Sequence, residues 1–291
     1  MSDPGGRIAI LCPGEVISGG PEALHQLGHA LRALGRDAKT CYFPFQRAFG
    51  PSAAYTRYGV PACSLEEIGT AEVVIPEART GFSRLFPAER VWIWWLSVDH
   101  YGGMRPAEAP GADPARHRPL GEMRGMRHLV QSNYARRFLA GHGLSARPLG
   151  DYLDGVHMAP PGDAVRGRTV LYNGVKDRIA PQLAGRLPGL DVCSLAGLRP
   201  VEVAERLRQA RLYIDFGGHP GRDRLPREAA MAGCCIVTGR RGAAADTEDL
   251  PIPDSFRLDE TAPDFFERAA RTVRSVVDDH AALAPLFEPY R

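Results

Sequence analysis

Residues 217–228 read Gly-Gly-His-Pro-Gly-Arg-Asp-Arg-Leu-Pro-Arg-Glu. Glycine, basic and acidic side chains alternate here right after an apolar run, Arg211 to Phe216, and before a small-residue stretch, Ala229 to Gly233. A helix starting near Pro226 points its N-terminus back into this loop, where free N–H groups and the helix dipole favour a phosphate. Gly221 lets the backbone approach such a group. Arg222, Arg224 and Arg227 offer charge-assisted hydrogen bonds to it, with Asp223 set among them. Glu228, in the expected first helical turn, has two uses. It is an acid complementing the dipole, or a carboxylate accepting hydrogen bonds from sugar hydroxyls.

Lys176 stands in Asn173-Gly174-Val175-Lys176-Asp177-Arg178, just past the apolar run Thr169 to Tyr172. The chain holds two lysines, Lys39 and Lys176, against 34 arginines. That skew fits a GC-rich coding sequence. A compact ammonium and a planar guanidinium are not interchangeable, so Lys176 stands equally as a phosphate-binding point charge and as an exposed lysine. A third loop, Gly14 to Gly20, ends in Gly19-Gly20 just before an amphipathic segment. The pair allows close approach of a ligand to the backbone, or serves a plain strand-to-helix turn. No GxGxxG is present, so a dinucleotide fingerprint is not supported. Asp99, His100 and Tyr101 form a polar cluster after the apolar run Val91 to Val98. His100 reads as a loop histidine with its bonds satisfied or as a site residue.

The elements that must position these groups alternate along the chain. Buried-strand patterns fall at Arg7–Cys12, Asp37–Phe43, Ala71–Pro76, Arg90–Ser97, Arg127–Gln131, Thr169–Tyr172, Leu190–Ser194, Arg211–Phe216 and Cys234–Thr238. Helical spacing runs over Pro21–Leu34, with Gly35 as the stop, and over Asn133–Gly141, Ile179–Leu187, Pro200–Gln209, Arg227–Ala232 and Ala262–Leu283. Residues 102–121 read as a long loop. Residues 155–167, centred on Pro160-Pro161-Gly162, read as a linker. Alternation on both sides of a linker predicts two doubly wound α/β domains, whose ligands sit past the carboxyl ends of the strands.

The chain has 291 residues, 44% apolar and 24% charged, with a net charge of +2. This is ordinary globular usage and excludes disorder as a description of the whole. The charge is too small to announce a nucleic-acid binder, and none is expected. Six cysteines, at 12, 41, 63, 193, 234 and 235, form no CxxC pair and no zinc-ligand spacing, so buried free thiols are expected. No apolar run is long enough to span a bilayer, and the first residues lack a secretory pattern, so a cytoplasmic place is expected. Trp92, Trp94 and Trp95 lie near Arg84 to Arg90, which leaves contact with the inner face of a membrane open.

The segment Pro226 to Gly239, PREAAMAGCCIVTG, resembles the late segment of glycosyltransferases with the GT-B fold. More narrowly it resembles the family-4 (glycosyltransferase group 1) enzymes that use nucleotide-sugars. The opening with Gly19-Gly20 and a helix ending at Gly35 is similar, as is Asn173 to Lys176. The segments VWIWWLSVDHY and HLVQSNYARRFL resemble parts of small bacterial transferases of surface-polysaccharide assembly.

The resemblance implies that Glu228 binds the donor ribose, that Lys176 contacts the donor diphosphate, and that Gly19 and Gly20 lie beside the donor phosphates and acceptor. It implies a place for His100, next to Asp99, near the reacting sugar. It implies no metal, and no Asp-x-Asp occurs here. It implies retention of anomeric configuration. One feature departs from the pattern. These enzymes often carry a second glutamate eight positions before the first, and here Pro220 stands there, preceded by His219. His219 or Asp223 is the candidate to take its place.

The expected architecture is two Rossmann-like doubly wound domains facing across a cleft, with a shortened N-terminal domain. Residues 1–154 form the acceptor side, 155–167 the linker, and 168–291 the nucleotide-sugar side. The expected activity is metal-independent transfer of a sugar from a nucleotide-diphospho-sugar to a glycan, lipid-linked or small-molecule acceptor. A nucleotide-sugar epimerase of similar fold and a non-catalytic nucleotide-sugar-binding partner subunit remain as alternatives.

Overall fold

The computed structural model describes residues 6–47, 49–101, 116–158 and 165–291. The chain divides into two compact units, Met1–Tyr152 and Leu153–Arg291. Most of the expected loop 102–121 and the centre of the expected linker, Pro160-Pro161-Gly162, lie outside the described residues.

The first unit is built on a parallel sheet of β1 (Ile8–Pro13), β2 (Ala38–Phe43), β3 (Ala62–Cys63), β4 (Glu72–Pro76), β5 (Val91–Trp95), β6 (Arg127–Val130) and β7 (Arg147–Pro148). The order is β3-β2-β1-β4-β5-β6-β7. Two short edge strands, β3 and β7, carry too little periodicity to be read from sequence. Helices α1 (Gly19–Ala33) and α2 (Asn133–Gly141) belong to this unit. Strands buried on both faces need apolar residues at successive positions, which is why they read as continuous runs. In β5, Trp94 and Trp95 are both fully buried but on opposite faces. Trp94 packs with Ile10, Cys12 and Leu24, and Trp95 with Leu11, Ile93 and Tyr101. The paired tryptophans are core, not a membrane-facing patch.

The second unit holds β8 (Thr169–Tyr172), α3 (Ala180–Ala184), β9 (Asp191–Ser194), α4 (Pro200–Gln209), β10 (Leu212–Asp215), α5 (Arg224–Met231), β11 (Cys235–Thr238), α6 (Phe265–Asp278) and α7 (His280–Leu283). Its four strands are parallel, in the order β11-β10-β8-β9. Adjacent residues of one strand feed opposite layers: Val170, Leu212 and Ile214 pack under α6, while Leu171 and Tyr213 pack with Val203, Leu207 and Ala229.

Three expected elements take a different form. Gly19 and Gly20 are the first residues of α1 rather than the end of a loop, because Ser18 is extended at the N-cap and Pro21 sits where a helix has no N–H partner to lose. The expected helix over Ile179–Leu187 is closed after five residues at Gly185. The expected final helix is two, α6 and α7, divided at Asp279, whose backbone leaves the helical region. All six cysteines are free, with Cys12, Cys41, Cys234 and Cys235 buried.

Candidate functional site

In the second unit, strand order reverses between β8 and β10, so the loops leaving their carboxyl ends diverge and open a crevice. Those loops carry Lys176 and the Gly217–Asp223 segment. The Asn173 side chain accepts the N–H of Val175 at 3.2 Å, and its carbonyl accepts those of Lys176 and Asp177. Gly174 is required here, since a Cβ would stand 2.0 Å from the Ser194 hydroxyl. Asn173 and Gly174 therefore shape the turn that presents Lys176.

Asp177, fully buried, fixes that turn to its neighbours. One carboxylate oxygen accepts the N–H groups of Ile179 and Ala180, at 2.8 and 2.9 Å, and the other accepts that of Phe216 at 2.9 Å. It joins the β8 loop, the start of α3 and the end of β10.

The Lys176 ammonium donates to both oxygens of Asp223, each at 3.0 Å. Asp223 is the N-cap residue of α5, yet its carboxylate makes no bond to the helix. It is turned toward Lys176 and His219 instead. His219 lies wholly inside, with Nδ1 3.4 Å from Asp223 and Nε2 3.6 Å from Asp215. Asp215 is fully buried and accepts from the Tyr213 hydroxyl at 2.7 Å and the Gly217 N–H at 3.0 Å. Burial pushes the Asp215 carboxyl up, and the His219 imidazole draws it back. Burial also raises the Tyr213 phenol.

Asp215, His219 and Asp223 bring ligand-type atoms within 4.8 Å of one another and form the candidate cation cluster among the described residues. Each imidazole nitrogen faces a different carboxylate, and the ammonium already occupies Asp223. His219, expected with Asp223 as a replacement for the absent glutamate, is buried between the two carboxylates.

Around this core, Gly221 is buried, Arg222 is half-buried, Arg224 opens α5, and Arg227 is largely buried with its Nε donating to the Asp223 carbonyl at 3.4 Å. Glu228 lies in the second turn of α5, one turn later than expected, so the dipole-complementing use loses its basis. Its carboxylate stands 3.6 Å from Nε2 of His157, a buried histidine from the segment read as linker.

In the first unit, order reverses between β1 and β4. The loop after β1 carries Gly14, where a Cβ would meet the Phe49 ring at 2.5 Å; at Gly20 nothing comes within 4 Å. Gly14, rather than Gly20, is the position where a side chain would collide. Glu77, directly after β4, was not expected. It is fully buried, accepts the N–H groups of Leu96 and Ser97 at 3.0 and 3.1 Å, and is raised to about 7 by burial. His100 Nδ1 lies 4.0 Å from it. Asp99 accepts the Tyr134 hydroxyl at 2.8 Å.

The residues the sequence reading missed left faint signals: Asp215 is an acid inside an apolar run, and Glu77 is an acid ending one. An open cavity of about 880 Å³ lies at the opposite, amino-terminal edge of the first sheet, among Arg7, Glu72, Trp92, Arg127 and Arg147. It is remote from the carboxyl ends of the strands.

No family model and no curated protein matches the chain. Solved structures do. Sucrose-phosphate synthase from Thermosynechococcus elongatus aligns over 98% of this chain and 93% of its own, with a TM-score of 0.67 and 12% identity. HepE from Anabaena, solved in complex with UDP-glucose, aligns over 98% and 93%, with a TM-score of 0.65 and 13% identity. A glycosyltransferase from Rickettsia africae aligns over 98% and 92%, with a TM-score of 0.61 and 10% identity. With two parallel-sheet units of this order and these likenesses across nearly the whole chain, the fold is that of the GT-B glycosyltransferases.

Proposed function

We propose that this protein is a glycosyltransferase that takes a sugar from a nucleotide-diphospho-sugar bound at the second unit. One observation carries the reading: at the strand-order reversal of that unit, a lysine ammonium, an arginine-rich loop and Glu228 gather on two adjacent loops and one helix. That set matches the parts of such a donor. Lys176 receives the diphosphate, exchanging part of its hold on Asp223 for phosphate oxygens. Arg222 and Arg224 add donors nearby. Glu228, oriented by His157, accepts from the ribose hydroxyls. The HepE structure holds a donor of this class, UDP-glucose.

Charge grows on the leaving diphosphate as the glycosidic bond breaks. An ammonium already positioned for it stabilises that charge without reorganisation. We read the reaction as metal-independent because Lys176 supplies the positive charge where a divalent ion would otherwise stand, and as retaining by the resemblance to family 4. The first unit takes the acceptor, a glycan, lipid-linked or small molecule. Glu77 and His100, at the carboxyl ends of β4 and β5, are its candidate polar groups. We place the activity in the cytoplasm. Among the described residues no helix is long and apolar enough to cross a membrane.

A non-catalytic nucleotide-sugar binder is the second reading, favoured by the inward turn of His219 and the proline that stands eight residues before Glu228. A thermal-shift panel of nucleoside diphosphates and nucleotide-sugars in metal-free buffer tests the donor site, since a ligand of the folded state raises the melting temperature. Release of nucleoside diphosphate in the presence of an acceptor pool then separates transferase from binder. A panel that moves nothing rejects both.

A further inference from the structure

We propose that His219 is a positioning residue for Lys176, acting through Asp223: its ring bridges the Asp215 and Asp223 carboxylates and so fixes the one that aims the ammonium. The inference rests on the donor-site reading above and assigns within it a role that a lone buried histidine would not have.

Two carboxylates whose oxygens lie within 4.8 Å of one atom set repel unless positive charge or protons stand between them. His219 is what stands between them, presenting Nδ1 to Asp223 at 3.4 Å and Nε2 to Asp215 at 3.6 Å. The Nε2 atom is buried and makes no hydrogen bond within ordinary reach. At these distances the ring fills the space between the two carboxylates and holds both by contact rather than by a formed hydrogen bond.

The bridge is anchored at its inner end. Asp215 is held on β10 by the Tyr213 hydroxyl and the Gly217 N–H. The histidine backbone is clamped as well. Its carbonyl accepts the Ala243 N–H at 2.9 Å, and Gly242, at φ +54°, passes so close that a Cβ would stand 2.0 Å from that carbonyl oxygen. The chain thus runs from a fixed strand to a half-exposed ammonium: Tyr213, Asp215, His219, Asp223, Lys176. Arg222, Asp249 and Tyr290 are the other charged or titratable side chains lining the hollow against His219.

The test titrates the full chain calorimetrically, in metal-free buffer, with UDP, ADP, GDP, CDP and dTDP and with the matching nucleosides. Four proteins are compared: wild type, Lys176→Met, His219→Gln and the double variant. Each single change is expected to cost about tenfold in diphosphate affinity, with nucleoside affinity unmoved, and the double variant no more than the worse single. A His219→Gln protein that binds the diphosphate like wild type, while Lys176→Met does not, overturns the inference. So does a double variant that loses the product of the two. Wild type binding none of the diphosphates overturns the donor-site reading, and this inference with it. Should His219→Gln fail to melt cooperatively, His219→Asn takes its place in the same titrations, and a variant that binds the diphosphate like wild type overturns the inference.

Discussion

The Lys176 ammonium meets both oxygens of Asp223 at 3.0 Å across 47 residues of sequence, joining the loop after β8 to the loop after β10. The pair is partly exposed on its lysine side, so its worth to stability is small. Its worth lies in orientation, because the ammonium is held at the mouth of the crevice with one face toward water. Replacing Lys176 by Met should therefore leave the melting temperature within a few degrees of wild type. Affinity for a nucleoside diphosphate should fall by about tenfold, within the range of a charge-assisted hydrogen bond. Calorimetry with diphosphate and nucleoside side by side reads this, and equal losses for the two ligands would refute it.

Glu228 should act on the nucleoside rather than on the phosphates. It sits in the second turn of α5, beyond the reach of the free N–H groups at the helix start, so removing its charge should not unfold the helix. Glu228→Gln is expected to weaken binding of the preferred nucleoside by about tenfold, with little change in circular dichroism or melting. A variant that melts early and binds normally would make Glu228 a structural carboxylate.

Glu77 sets a pH dependence in the first unit. Burial lifts its carboxyl from the usual 4.5 to about 7. Between those values the folded protein keeps a proton that the unfolded chain has released. Stability contributed by this group is full below about pH 4.5, falls as the pH rises to about 7, and is level above it. The shift corresponds to about 3 kcal/mol across that span. Glu77→Gln removes the titration, so urea melts at about pH 5 and about pH 8 should differ less in the variant than in wild type. An unchanged pH difference would show that another group is responsible.

Gly242 is the position where the fold tolerates no side chain for two separate reasons, its positive φ and the His219 carbonyl behind it. Gly242→Ala should cost about 1–3 kcal/mol in urea unfolding and should also lower diphosphate affinity, because the clamp on His219 moves with it. The Gly20→Ala change serves as the control, since its Cβ would enter open space. A Gly242→Ala protein as stable as wild type would show that the loop relaxes at no cost.

The alternating elements were legible from residue order alone. Strands in a parallel sheet are buried on both faces, so β1, β5 and the middles of β4 and β8 carry apolar runs, and in β10 the run holds one acid, Asp215. Residue order also pointed to the loops after β8 and β10, where Lys176 and Asp223 lie, while Glu228 falls within α5. Local capping explains why Pro200–Gln209 and Asn133–Gly141 were legible to the residue, while α1 began two residues early, before its proline, and α6 broke at Asp279.

What each candidate site residue faces follows from how the folded elements converge. His219 and Asp223 are four apart and looked alike as replacements for an absent glutamate. One proves buried between carboxylates, and the other holds the lysine. Asp177, Asp215, Glu77 and His157 entered the picture because partners distant in sequence converge on them, as Phe216 does on Asp177 and Leu96 on Glu77. Periodicity records which face of an element is buried. It does not record which buried polar groups from separate elements must satisfy one another, and in this protein those pairings build the candidate site.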